Sequence, residues 1–270
     1  MKTEKNFAVY EILQKIRSQK PVVHHLTNWV TIYDCASIVK IIGGSPVMAH
    51  APEEVEEMVN IASSLVLNIG TLTTDFVEAM KIAVRAANIR KIPVVLDVCG
   101  AGATKLRDRK AFELIEYSHI DIIKGNASEV ARVAGEDVRT KGVDAGDVRK
   151  DILAIAETPA KNKGCTVVAT GKEDIVSDGN STYIVRNGVE MLAHVVGTGC
   201  ITTSLVGTFV AVEKDYAFAS MSALACFGIA SEIALGNCTG PASFKEKLFD
   251  VLYNLDEKKI NELIKVERTK

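Results

Sequence analysis

Gly197-Thr198-Gly199-Cys200 stands directly before a long run of helical character over 201–212. Two glycines at a helix start let the backbone come close to a ligand. The unpaired N–H groups there, with the positive end of the helix dipole, favour an anion. A glycine-rich turn with no ligand would have the same composition. Cysteine is an unusual choice in a first helical turn, where Ser, Thr, Asp and Asn are the preferred caps. A thiol at that place is shifted toward thiolate, so Cys200 is a candidate base or nucleophile.

A second constellation joins acids and amides. Asp97 closes an apolar run and opens Asp97-Val98-Cys99-Gly100-Ala101-Gly102-Ala103-Thr104, and Lys124-Gly125-Asn126-Ala127-Ser128-Glu129 follows another. An N-x-x-E string after a strand is a capping box, with Asn126 as cap and Glu129 at the third helical position. Alternatively, Asp97 and Glu129 at neighbouring strand ends hold Mg²⁺ on a nucleotide, directly or through water. The usual nucleotide motifs fail. The string before Gly171-Lys172 has Thr166 where the first P-loop glycine belongs, and Glu173 follows. Gly100 to Lys105 reads G-x-G-x-x-K and lacks the third glycine of the dinucleotide fingerprint. The N-terminal third carries His24, His25, Asn28 and Trp29, then Gly43-Gly44-Ser45-Pro46-Val47-Met48. By residue type alone, the histidines and Met48 read as packing residues and Asn28 as a turn residue.

The elements that must position these groups alternate. Short apolar runs over 65–69, 94–96, 120–123 and 166–169 read as buried parallel strands. Helical spacing holds over 52–63, 74–88 and 147–157. The alternation predicts βαβ units with helices on both faces of a sheet. The residues following each strand are Gly, Thr, Asn or acids, and ligands in open α/β sheets bind beyond the carboxyl ends of strands. Thr170-Gly171 supplies the fourth such end. Ser-Asp-Gly-Asn at 177–180, between β-prone runs, predicts a hairpin and thus antiparallel strands at one edge. From Cys200 onward the pattern is nearly all helix, and the apolar stretch 217–235 reads as a buried helix.

Composition narrows the function classes. The chain has 270 residues, 47% hydrophobic and 24% charged, with a formal net charge of -2. That suits one α/β domain with a full core, with no repeat or linker. No basic excess points to nucleic acid or a membrane surface. The first residues lack the apolar core of a signal peptide, and the expectation is a cytoplasmic protein. The six cysteines show no C-x-x-C spacing and form no plausible zinc cluster with the histidines, so most are expected as small buried residues.

The string Thr27 to Ala36, T-N-x-V-T-x-x-D-C-A, resembles the N-terminal signature of the hydroxyethylthiazole kinase family, within the ribokinase-like superfamily. So do Gly44-Ser45-Pro46-Val47-Met48-Ala49, Glu53-Glu54-Val55-Glu56-Glu57, Asn68-Ile69-Gly70-Thr71-Leu72, Gly100-Ala101-Gly102-Ala103-Thr104, Gly125-Asn126-x-x-Glu129 and Gly197-Thr198-Gly199-Cys200. These motifs occur in the family's order over most of the chain. The resemblance implies a three-layer ribokinase-like sandwich: a mostly parallel central sheet with helices on both faces and an antiparallel edge hairpin. It implies ATP-dependent phosphorylation of a thiazole alcohol in thiamine synthesis or salvage, with Mg²⁺. It places Met48, Asn28 and Gly197 at the substrate, and Lys124, Asn126 and Thr170 at ATP. Gly197, Thr198 and Gly199 become the anion hole, Asp97 and Glu129 the metal-and-phosphate acids, and Cys200 the base. It also implies a homotrimer with sites at subunit boundaries, Asn28 reaching a neighbour's site.

Three departures stand out. The loop Asp97-Val98-Cys99-Gly100 lacks the family's proline, Lys124 replaces an arginine, and His25 replaces a commoner cysteine. Lys keeps the charge but loses the bidentate fork. The rival readings are a kinase of hydroxymethylpyrimidine or a sugar, a non-catalytic thiazole or nucleotide sensor, and a cysteine hydrolase. The hydrolase would need His194 as its partner and leaves Asn126-x-x-Glu129 unexplained.

Overall fold

Alternate residues of the central strands are buried on opposite faces of one sheet, in the computed structural model of residues 8–135, 152–236 and 238–269. Val23, Val66, Val95, Ile122 and Val168 join one apolar cluster. Leu65, Leu67, Leu96, Ile123 and Val167 join the other. Runs of Val, Ile and Leu with no polar face are what a doubly covered parallel sheet demands.

The strands are β1 (Val22–Leu26), β2 (Ser45–Val47), β3 (Ser64–Asn68), β4 (Val94–Asp97), β5 (Ile122–Asn126), β6 (Thr166–Thr170), β7 (Asp174–Ser177), β8 (Thr182–Val185) and β9 (Val266–Arg268). They form a nine-stranded sheet in the order β2-β1-β3-β4-β5-β6-β7-β8-β9. Pairing is parallel from β2 through β6 and antiparallel from β6 through β9.

One face is covered by α1 (Val9–Gln19) and α2 (Ile32–Ile41). The other carries α3 (Val55–Ile61), α4 (Thr74–Arg90), α5 (Lys105–Tyr117), α6 (Ala127–Val133) and α7 (Ile152–Lys163). The chain then returns to the first face with α8 (Thr198–Val210), α9 (Tyr216–Leu235), α10 (Pro241–Tyr253) and α11 (Glu257–Leu263). The three-layer α/β sandwich expected from the alternation is present. By length and composition α9 is apolar enough to cross a membrane. It lies instead in the core, packed on α8 and α10.

Several boundaries differ from expectation, each for a local reason. β1 and β2 were not anticipated. β1 carries His24 and His25, which break the apolar pattern although both are buried. His25 bonds Val23 O at 3.0 Å and Ser204 Oγ at 3.1 Å, and burial pushes its pKa down to about 4, so the ring is neutral. The helix expected over 52–63 begins only at Val55, because Ala51 to Glu54 close a turn first. The strand expected over 120–123 runs to Asn126, which puts Lys124 inside β5. The nearly all-helical last third ends in β9, held by β8. The helix expected over 147–157 falls partly outside the described residues, and its described portion belongs to α7. The predicted hairpin is present as β7–β8, its Asp178 carboxylate accepting from Asn180 N and Ser181 N.

Candidate functional site

Strand register alone lines up much of the site. Asn68 pairs with Asp97, Asp97 with Lys124, and Asn126 with Thr170. Polar residues therefore sit side by side at the carboxyl ends of β3 to β6.

The turn before α8 faces this row. Gly197 is the N-cap, with φ of 89°. A Cβ there would lie 2.4 Å from Thr31 Cγ2, so both the backbone conformation and the space require glycine. The first bond of α8 runs from Ile201 N to Gly197 O at 2.8 Å. The N–H groups of Thr198, Gly199 and Cys200 precede that ladder, and no side chain caps them. The Thr198 hydroxyl donates backward to Leu192 O.

A buried ionic chain ties the turn to β4. Thr203 Oγ1 donates to Asp97 Oδ2 at 2.5 Å and lies 3.1 Å from Gly199 O. Lys124 Nζ lies 3.4 Å from Asp97 Oδ2 and donates to Gly199 O at 2.9 Å. Burial disfavours the Lys124 ammonium, but Asp97 and Glu129 outweigh it and hold its pKa above the usual lysine value. Lys124 thus sits beneath the turn as a fixed charge.

Cys200 Sγ accepts from Asn28 Nδ2 at 3.2 Å and Asn68 Nδ2 at 3.4 Å. The neighbouring Cys99 thiol, opposed by burial and the Asp97 charge, draws the Cys200 pKa down to about 6, while the Cys99 pKa is pushed upward. The pair therefore favours charge on the Cys200 sulfur. The nearest histidine link is indirect: neutral His25 donates from Nδ1 to Val23 O and accepts the Ser204 hydroxyl at Nε2, and Ser204 Oγ lies 3.3 Å from the Cys200 carbonyl oxygen. His194 stays exposed in a 3-10 turn.

Glu129 forms the capping box that its spacing suggested. Asn126 Oδ1 accepts from Glu129 N, and Glu129 Oε2 accepts from Asn126 N. Its other oxygen accepts from Gly100 N at 2.7 Å, so the side chain also fixes the loop after β4. Burial first, then the Asp97 charge, raises its pKa. Thr170 Oγ1 donates to Gly125 O beside Asn126. Met48 follows β2, half-buried at the sheet edge, and its carbonyl takes His50 Nδ1. Asn28 meets Cys200 of its own chain.

Sequence reasoning missed Asn68, Thr203 and Cys99 as members of the site. Asn68 ends a buried strand just before Gly70, and only the register shows that it neighbours Asp97. Thr203 lies one helical turn after Gly199, a spacing that could have marked it.

The sequence profile of the hydroxyethylthiazole kinase family matches residues 13–258. A hydroxyethylthiazole kinase of Methanosarcina mazei is 50% identical over 255 residues, covering 94% of this chain and 98% of that protein. The solved structure of a hydroxyethylthiazole kinase from Pyrococcus horikoshii OT3 superposes with a TM-score of 0.90 at 40% identity, over 97% of this chain and 99% of that one. A ribokinase-like superfamily protein from Enterococcus faecalis V583 shares the fold, with a TM-score of 0.65 at 13% identity over 94% of this chain and 98% of that one.

Proposed function

Since the chain belongs to the hydroxyethylthiazole kinase family, we propose that this kinase transfers the γ-phosphoryl group of ATP to the hydroxyl of 4-methyl-5-(2-hydroxyethyl)thiazole, in thiamine synthesis or salvage. The observation that carries the reading is the meeting of an uncapped helix N-terminus with a Cys200 sulfur that accepts from two side-chain amides.

Phosphoryl transfer to an alcohol needs alignment and charge neutralisation more than covalent chemistry. The N–H groups of Thr198, Gly199 and Cys200, with the α8 dipole, form the anion hole for the moving phosphoryl. Lys124, braced under Gly199 O, adds positive charge from below the same turn. Cys200 accepts the proton of the substrate hydroxyl as the new P–O bond forms. Met48, Asn28 and Gly197 line the alcohol side. Asn126 and Thr170, adjacent in register, hold ATP beyond β5 and β6 together with Lys124.

Asp97 and Glu129 fit Mg²⁺. Both are buried or nearly so, and the Asp97 charge is one cause of the raised Glu129 pKa. Among the described residues no cluster of three or more His, Cys, Asp or Glu could cage a metal. Mg²⁺ suits such a partial donor set, because it keeps waters and phosphate oxygens. When bound, it would neutralise charge on the phosphates.

One sheet takes strands from residues 22 to 268, which supports a single kinase domain. Val30, Tyr33 and Val196, exposed at 66%, 80% and 72%, lie close in sequence to Asn28 and Gly197 and support a contact between copies near the site; the number three rests on the family resemblance. A cytoplasmic location accords with ATP as co-substrate.

The test is incubation with ATP, Mg²⁺ and a panel of small alcohols, read by mass spectrometry. Conversion of the thiazole alcohol to its phosphate, ahead of every other member, is the expected result. Faster phosphorylation of hydroxymethylpyrimidine or ribose would overturn the assignment.

A further inference from the structure

We propose that Asn68, locked in place by Gly70 and Asn28, is a positioning residue whose amide N–H holds the Cys200 sulfur as a hydrogen-bond acceptor. The inference rests on the reading of Cys200 as the base and extends it to a residue outside the turn.

The orientation of both amides follows from their other partners. Asn68 Oδ1 accepts from Gly70 N at 2.8 Å and from Asn28 Nδ2 at 3.0 Å. Asn28 Oδ1 accepts from Val30 N, Thr31 N and Thr31 Oγ1, each at 3.1 Å. Rotating either amide would set an NH₂ group against backbone N–H donors, which have no other role than to donate. Each amide must therefore turn its nitrogen toward Cys200 Sγ. Asn68 and Asn28 are both buried, at 1% and 3% exposure, so the two donors cannot exchange the sulfur for water at no cost.

The loop that sets Asn68 is itself fixed. A Cβ on Gly70 would lie 2.9 Å from Asn68 Oδ1 and 3.1 Å from Asn28 Cβ, so only glycine admits this packing. Arg107 donates to Ile69 O, Gly70 O and Cys99 O, joining the loops after β3 and β4. The groups around the sulfur are then two amides, the Cys99 thiol, the Thr31 hydroxyl, and the charges of Asp97 and Lys124. A sulfur receiving N–H donors is directed by them, and its lone pair is aimed by the protein frame.

Asn68→Asp and Asn68→Ala separate this role from a structural one. Asp keeps the size and the accepted bonds from Gly70 N and Asn28, but replaces the donor facing sulfur with a second oxygen. Ala removes everything. A residue that only packs the loop would be hurt more by Ala. A residue that donates to the sulfur would be hurt more by Asp. The readouts are the rate at which iodoacetamide modifies Cys200, followed by peptide mass spectrometry at pH 7.5, and kcat against KM for the thiazole alcohol.

The expected result is a fall in Cys200 alkylation at pH 7.5 that is small for Ala, about twofold or less, and larger for Asp, widening to several-fold as the pH is lowered toward 6, with kcat falling in the same order and KM nearly unchanged. Unchanged alkylation, or a larger loss for Ala than for Asp, would overturn the proposal. Lowered alkylation with an unchanged kcat supports the amide-to-sulfur role and overturns instead the reading of Cys200 as the base.

Discussion

Cys200 carries the chemistry through one proton. A nucleophile would form a covalent intermediate and tolerate no oxygen in its place. A base needs only to accept a proton, and the amides of Asn28 and Asn68 would donate as readily to a carboxylate. Cys200→Asp is therefore expected to stay active, while Cys200→Ala loses roughly 10²–10⁴-fold in kcat and still binds ATP. Equal inactivity of both, with normal ATP binding, would show that the residue is not the base. The pH profile follows from the same group. Its pKa is drawn down to about 6, with the neighbouring Cys99 thiol as the largest cause, and the active form is the deprotonated one. Activity is thus present above that value and lost as pH falls through it. The profile of kcat/KM is expected to show an acid limb near 6 that moves in Cys200→Asp. An acid limb identical in the two proteins would assign it to another group.

At the scale of elements, α6 and the loop after β4 share one carboxylate. Glu129 accepts from Asn126 N and Gly100 N, one bond for each oxygen. Glutamine keeps only one acceptor, so Glu129→Gln leaves a backbone N–H facing an NH₂ group, at a cost of about 1–3 kcal/mol. If the residue also holds Mg²⁺, the mutant is expected to need more Mg²⁺ for half-maximal rate, in addition to melting slightly earlier. A lowered melting temperature with normal turnover would leave Glu129 as a structural brace alone. The capping box was legible in the sequence because its four residues are contiguous. So were the strands whose apolar runs are unbroken, and the turn before α8. β1 was hidden by two histidines whose pKa values burial pushes down, and whose polar partners, Ser204 on α8 and the Ala49 carbonyl after β2, come from distant parts of the chain. Asn68 was hidden for a similar reason. Its partners lie 40 and 132 positions away, and no local period encodes such a pairing.

For the whole molecule, the proposal of three copies has a direct measure. Light scattering is expected to give about three times the 29.1 kDa chain mass, a closed cyclic arrangement of the common kind. An active monomer would remove the idea of a site shared between subunits. It would leave Asn28 in place, since its bonds to Cys200 and Asn68 are made within one chain.

The two margins of the sheet limit how copies can meet. At one end β2 has three residues with Pro46 in the middle, and at the other β9 has three with Glu267 and Arg268. Proline offers no N–H for a further strand, and the charges on β9 are already engaged, Glu267 with Arg186 and Arg268 over the Tyr183 ring. Short, proline-bearing or charged margins resist strand-by-strand growth. The hydrophobic strands inside, which alone would be good templates for amyloid-like stacking, are sealed in from both sides. Any self-association is thereby directed to helix and loop surfaces, where it can close on itself and stop.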